Sequence, residues 1–404
     1  MAERSHPIGM KMIEPPSRIA AIDMVRGFVM VLMVLDHTRD WFGNHDIDAL
    51  DVSQTSGPLF LSRWITHLCA PAFVFLAGIS TFLQKEKTDA RSVSIFLLSR
   101  GAILVFLEQT FLHCFGWYFN FDFHFMNANV LWGIGGSMML LGAFIYLPRM
   151  AILTIGLILI SFDDMLLQLV NIVEGESGYW LWTMFFKGGN IEYIPAHNFY
   201  VSYPIVPWFG IMALGYGLGP YFSSEASDKR KLVRWSLVFL IVFSILRASI
   251  HYGNPTPWQP QASAMNSLLS FINLEKYPPS LLFTLLTLGI ILLLLAYADS
   301  LFHYVQHPLR CLGQASLFFY ITHIMVVHGL AVVVAWIRFG RAEWLYEGPG
   351  IFWSETLPGH PPDYGLSLPW VYFIALSVTI ALYPCCRWYS ALKSTHRIKW
   401  LKYF

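Results

Sequence analysis

Ten stretches of about 20 mostly apolar residues run along this chain, and a helix of that length crosses the roughly 30 Å of a bilayer's hydrocarbon. They fall at approximately 19–38, 58–84, 92–114, 128–147, 149–170, 203–222, 232–251, 279–298, 313–337 and 369–391. Only 13% of the residues are charged and 56% are hydrophobic, where a soluble domain carries about 25% charged residues. The expectation is an all-α fold: a polytopic membrane helix bundle of about ten transmembrane helices, with the lipid bilayer as solvent. No linker is polar or long enough to divide it, so residues 1–404 are read as a single domain.

Basic residues set the orientation of such a bundle, because connections rich in Lys and Arg stay in the cytoplasm. Placing both termini and the alternate connections on one side collects seventeen Lys and Arg there, including Lys85, Lys87, Arg91, Lys229, Arg230, Lys231 and Lys393. The other side receives seven, among them Arg39, Arg63, Arg247 and Lys276. N-terminus and C-terminus are therefore expected to be cytoplasmic. The net charge of +1 gives no argument for a nucleic-acid partner. The first span ends in Asp36-His37-Thr38-Arg39-Asp40 without a small-residue cleavage site, so it is not read as a cleaved signal.

Two outward connections, about 171–202 and 338–368, are larger than the rest and are positioned to cover a site. The segment from Tyr179 to Phe186 is too short to span and suits the membrane interface, where Trp and Tyr settle. In the sixth span, Pro204, Pro207, Gly210, Gly215 and Gly217 admit two readings: a helix broken beside a wet cavity, or close packing through small residues. Tyr277-Pro278-Pro279-Ser280 simply opens the eighth span.

The first span carries the candidate chemistry. Ionisable groups at membrane depth are costly unless they pair or face water, which makes them functional-site candidates. Arg26 and His37 are eleven residues apart, which on a helix returns to within about 20° of the same face and advances roughly 16 Å, so both are expected to line one cavity. Asp23 pairs with Arg26 at i,i+3. His37, flanked by Asp36, Arg39 and Asp40 at the outer edge, suits a general base; Asp40, at i,i+3, or Asp36 is the expected orienting partner. His67, His323 and His328 lie in other spans, and Arg100 and Glu108 in the third.

No histidine pair has a ligand spacing backed by a third donor, so no metal is expected. The five cysteines are scattered and outline neither a disulfide framework nor a zinc site. The absence of a Gly-x-Ser-x-Gly elbow or a phosphate-cradling glycine loop argues against covalent serine chemistry and nucleotide hydrolysis.

Four segments resemble the bacterial relatives of the heparan-α-glucosaminide N-acetyltransferase catalytic domain, within a wider set of transmembrane acyltransferases. They are Asp23–Gly27 leading to Asp36–Asp40, Ile65–Gly78, Pro204–Gly210 and Gly313–His323. The spacing of Arg26 and His37 is also similar to that of O-antigen-type sugar acetylases. The resemblance implies a multi-pass protein of a bacterial inner membrane that moves an acetyl group from cytoplasmic acetyl-CoA to a carbohydrate-like hydroxyl or amine acceptor on the outer face. It implies His37, Asp36 and Asp40 as catalytic residues, Arg26, Asp23, Trp208 and His323 as cofactor-binding, and Arg39, His45 and His67 as substrate-binding. A homodimer is expected from the resemblance alone.

In the animal heparan enzyme the end of the first span resembles Asn-Tyr instead, and the catalytic histidine falls later, in the first outer loop. His45 is the nearest counterpart here. We favour His37, whose position a helix fixes. The competing function class is a solute transporter or exporter without chemistry, which scattered intramembrane charges and an interrupted sixth span would also suit.

Overall fold

Helix starts in this chain are set by short polar side chains and prolines. The side chains of Ser56, Asp89, Ser263 and Ser280 each accept a backbone N–H three residues on, satisfying a donor that the first helical turn leaves open. Pro148 and Pro204 occupy the same position before two further helices. The computed structural model describes residues 17–44, 47–119, 121–170, 172–223, 229–249, 252–346 and 359–395. In chain order the elements are α1 (Ser17–Phe42), α2 (Gly57–Trp64), α3 (Cys69–Lys85), α4 (Ala90–Leu107), β1 (Phe125–Ala128), α5 (Val130–Phe144), α6 (Arg149–Leu169), α7 (Tyr179–Trp182), β2 (Gly189–Ile194), β3 (His197–Val201), α8 (Ile205–Leu218), α9 (Lys229–Ser249), α10 (Ala264–Ile272), α11 (Leu281–Leu301), α12 (Gln306–Gln314), α13 (Ser316–Phe339) and α14 (Leu368–Thr395).

The all-α polytopic expectation holds. Among the described residues eight helical segments are long and apolar enough to cross a membrane. The two remaining predicted spans fall on α1, which carries Asp23, Arg26, Asp36, Arg39 and Asp40, and on α5, which has only 15 residues. Both are shielded by neighbours: α1 packs against α3, α11, α12, α13 and α14, and α5 against α4 and α8. Around this interior α4, α6, α9 and α14 expose Phe106, Leu157, Ile158, Ile241, Ile245, Leu376 and Ile380, the apolar outer surface that a lipid-facing helix carries.

The sixth span resolves in favour of close packing. α8 is continuous from Ile205 to Leu218 and almost wholly buried. Its glycines let α3 approach: a Cβ on Gly215 would stand 2.1 Å from the Phe75 carbonyl oxygen, and one on Gly78 equally close to that of Met212. Such contact through small residues replaces the hydrophobic drive that lipid does not supply between helices. Gly215→Leu is therefore expected to push α3 and α8 apart at a cost of about 1–3 kcal/mol or more; a detergent-solubilised variant melting with the wild type would contradict that contact.

Backbone irregularity lies elsewhere. A 3-10 turn at Ile65–Leu68 joins α2 to α3, and α4 runs on into a π-helical turn at Glu108–Trp117, a departure that often accompanies functional sites. The connection at 171–202 contributes β2 and β3 to what the sequence pattern did not predict, a small mixed sheet in the order β1-β3-β2 whose β1 precedes α5. β3 pairs parallel with β1, Phe125 opposite Asn198, and antiparallel with β2, Gly189 opposite Val201.

Candidate active site

The polar centre of the bundle is built from the C-terminal half of α1 and the 3-10 turn. The Asp36 carboxylate accepts hydrogen bonds from Arg39 (2.5 Å), Arg63 (2.7 Å) and the Thr66 hydroxyl (2.8 Å). Arg39 also donates to Asp40 (2.9 Å) and to the Ser62 carbonyl (3.3 Å). Two carboxylates and two guanidiniums thus neutralise one another away from bulk water, with the directional bonds a buried ion network needs. The 3-10 turn matters here because it brings Thr66 and Arg63 onto the same carboxylate.

His37 is buried and belongs to a second unit. Its Nδ1 lies 2.8 Å from His323 Nε2, while His323 Nδ1 lies 2.7 Å from the Phe319 carbonyl oxygen. A carbonyl only accepts, so His323 carries its proton on Nδ1 and, as a neutral ring, accepts through Nε2. His37 must then donate from Nδ1, which leaves its Nε2 as the lone-pair nitrogen. No hydrogen-bond partner for that nitrogen occurs among the described residues. Trp117 sits edge-on to the His37 ring at 4.8 Å, with Trp41 at 6.2 Å and Tyr320 at 6.4 Å.

The expected orienting carboxylate is therefore replaced by an imidazole. Asp36, adjacent in sequence to His37, diverges from it on the helix and serves Arg39, Arg63 and Thr66, while Asp40, though at i,i+3 from His37, is held by Arg39. His323, expected at the cofactor, is the residue that fixes the His37 ring. His45 lies outside the described residues.

Two cavities flank this pair. One, of about 280 Å3, is lined at its polar end by Arg26, Arg100, Gln314 and Lys393 and further in by Met30, Met33, Leu104, Met138 and Tyr320. Arg26 donates to Asp23 and to Ser80, both at 3.3 Å, and Gln314 donates to the second Asp23 oxygen at 3.2 Å. Arg26, Met30 and Met33 form one stripe of α1 whose next member is His37. Arg26 lines this cavity, as does Tyr320, whose ring centroid lies 6.4 Å from that of His37, but His37 lines neither cavity, which corrects the expectation that both line one passage.

The other cavity, of about 780 Å3, opens at the opposite end of α1 and is lined by Arg39, Asp40, Arg63, His67, Lys276 and Tyr277 among others. Arg39 and His67, expected at the substrate, both line this cavity. Trp208, expected at the cofactor, lines neither cavity; it is completely buried and packs on Tyr203, whose hydroxyl reaches that of Tyr277 at 3.4 Å. Because Arg26 and Lys393 share the smaller cavity, both ends of the described chain lie at one end of the bundle.

Two other intramembrane groups, His328 and Glu108, have structural partners. His328 sits between the Gly116 and Leu345 carbonyl oxygens, 2.7 Å from Nδ1 and 2.8 Å from Nε2, and as a neutral ring donates to one of them, in the π turn or in the segment after α13. Glu108 accepts the Leu131 N–H at 2.7 Å, capping α5 from another helix where Asn129 supplies no side-chain cap. In the sequence Lys276 reads only as a loop charge, and the Tyr277–Ser280 segment only as a helix start. Nothing local in the sequence signals that both face a cavity.

Fold and site together define a multi-pass membrane protein with a solvated pocket at either end of a buried histidine pair. Residues 18–251, more than half of the chain, match the family of the heparan-alpha-glucosaminide N-acetyltransferase catalytic domain. The chain belongs to that family and is a membrane acetyltransferase of this type. A comparison with curated proteins finds no match. The matched segment holds Arg26, the Asp36–Asp40 run, Arg63, His67, Glu108 and Trp208; Lys276, Tyr320, His323 and Lys393 lie beyond it.

Proposed function

We propose that the protein transfers an acetyl group from cytoplasmic acetyl-CoA, entering through the smaller cavity, to a hydroxyl or amine of a carbohydrate-like acceptor held in the larger cavity on the outer face. The observation that carries this reading is the His37–His323 pair, which leaves a lone pair on His37 Nε2 at the point of α1 between the stretch that lines the smaller cavity and the stretch that lines the larger. The donor side has fitting chemistry. Arg26, Arg100 and Lys393 offer positive charge to the phosphates of coenzyme A, and the methionine-lined interior suits the pantetheine arm.

In this reading His37 Nε2 takes the proton from the acceptor O–H or N–H as that atom bonds to the thioester carbonyl carbon. The tetrahedral adduct then expels the coenzyme A thiolate, and the C–S bond breaks as the new C–O or C–N bond is retained. The imidazolium returns its proton to the thiolate or to solvent. His323 acts as a positioning residue, holding the tautomer that leaves Nε2 free. The Asp36 carboxylate stays committed to Arg39, Arg63 and Thr66 and keeps the surrounding helices in register. A transporter of the discontinuous-helix type would need paired broken spans, and α8 is continuous.

Binding of the donor is the direct test. Acetyl-CoA at about 100 times its Kd is expected to stabilise the purified chain by about 2.7 kcal/mol. Arg26→Ala and Lys393→Ala should each weaken binding about tenfold or more, the loss typical of a hydrogen bond to a charged group. Unchanged thermal unfolding of the wild type across the titration would remove the acetyl-CoA reading.

A further inference from the structure

A buried charge is tolerated when it is paired or hydrogen-bonded. Lys276 is 6% exposed, and neither a hydrogen bond nor an ion pair to its side chain occurs among the described residues. Its one close partner is the ring of its neighbour, Tyr277, whose centroid lies 4.9 Å from Nζ. The side chain nonetheless lines the larger cavity, beside Arg63, His67 and Tyr277.

The nearby acids are already engaged. Asp36 serves Arg39, Arg63 and Thr66, and Asp40 serves Arg39. Glu275 turns back to accept the Tyr277 N–H at 3.3 Å. Asp48 and Asp51, at the rim, accept from Leu50 and from Ser53. The formal charges lining the cavity balance, Arg39, Arg63, Arg247 and Lys276 against Asp40, Asp48, Asp51 and Glu275, but Lys276 alone of the four cations has neither a hydrogen bond nor an ion pair among the described residues, in a cavity large enough for a sugar. Arg247, on the same wall, is saturated by the carbonyls of Thr256, Ser270, Phe271 and Asn273. The unspent cation is Lys276.

We propose that Lys276 is the anion-recognition residue of the larger cavity and receives an oxyanion, a carboxylate, sulfate or phosphate, carried by the acceptor. This rests on the larger cavity being the acceptor site. An anionic acceptor gains there what an uncharged one cannot, a charge-assisted hydrogen bond to an ammonium that no protein acid engages. Lys276 thereby sets specificity without touching the reacting atoms, and a neutral acceptor of the same shape is disfavoured.

The experiment needs no acetyl transfer, so its failure is separate from failure of the acetyltransferase reading. The full-length chain in detergent is treated with an amine-acylating reagent at constant ionic strength, and Lys276 modification is read by peptide mass spectrometry. Sulfate and glucuronate are expected to protect Lys276, and chloride and glucose are not. Lys276→Met should raise the Kd for glucuronate about tenfold or more, as loss of a charge-assisted hydrogen bond does, while Lys276→Arg retains binding. Equal labelling with and without the oxyanions overturns the proposal, whether or not the variants fold. Protection by phosphatidylglycerol vesicles but not by glucuronate would assign the anion to a lipid headgroup and overturn the acceptor role.

Discussion

His37→Ala lowers the rate of acetyl transfer by about 10² to 10⁴, the range a positioned general base contributes, and leaves acetyl-CoA binding near its wild-type value. The separation follows from the geometry. Arg26, Arg100 and Lys393 line the smaller cavity, whereas His37 is not part of its lining. Substitution at His37 therefore removes the base without removing donor contacts. His323→Gln still offers an oxygen to the His37 Nδ1 hydrogen and should lose less activity than His323→Leu, which offers none. The pH profile of kcat/KM is the readout that distinguishes a positioning residue from a merely structural one: His323→Leu frees the His37 tautomer and shifts that profile. Transfer is followed as thiol release from acetyl-CoA by membranes carrying each variant. Full activity in His37→Ala together with loss in His45→Ala would move the base to the loop.

The helices were legible because lipid imposes a length and a composition that any spanning segment must meet. The charges of α1 were legible for the same reason, since Asp23, Arg26 and Asp36 in an apolar run demand partners. What those partners are was not. His37 and His323 are 286 residues apart, and no local pattern links them; proximity comes from α13 packing against α1. Helical arithmetic places Arg26 and His37 on one stripe, yet only Arg26 lines the smaller cavity, whose wall is completed by side chains from other helices such as Tyr320. The proline and glycine content of α8 pointed equally to breakage and to contact, and the glycine contact with Phe75 on α3 decides it. The three-stranded sheet escaped notice because its ladder joins β1 to a segment more than seventy residues on, and each strand is six residues or fewer.

Stability should respond most strongly at Asp36. One carboxylate oxygen accepts from Arg39, Arg63 and Thr66, joining α1 to α2 and to the 3-10 turn. Asp36→Leu leaves Arg63 without its only ion-pair partner among the described residues and Arg39 with Asp40 alone. Breaking one side of a buried pair costs about 3–5 kcal/mol, because the stranded charge keeps its desolvation penalty. Thr66→Val removes a single hydrogen bond to the same atom and should cost about 1–3 kcal/mol. The double variant Asp36→Leu with Arg63→Met removes the stranded guanidinium along with the carboxylate, and is expected to recover part of the loss, since an apolar replacement of a whole pair is often nearly neutral. Thermal unfolding of the detergent-solubilised variants measures all three. Were Asp36→Leu no more damaging than Thr66→Val, or the double variant worse than the single, the charge cluster would not be what holds the 3-10 turn against α1.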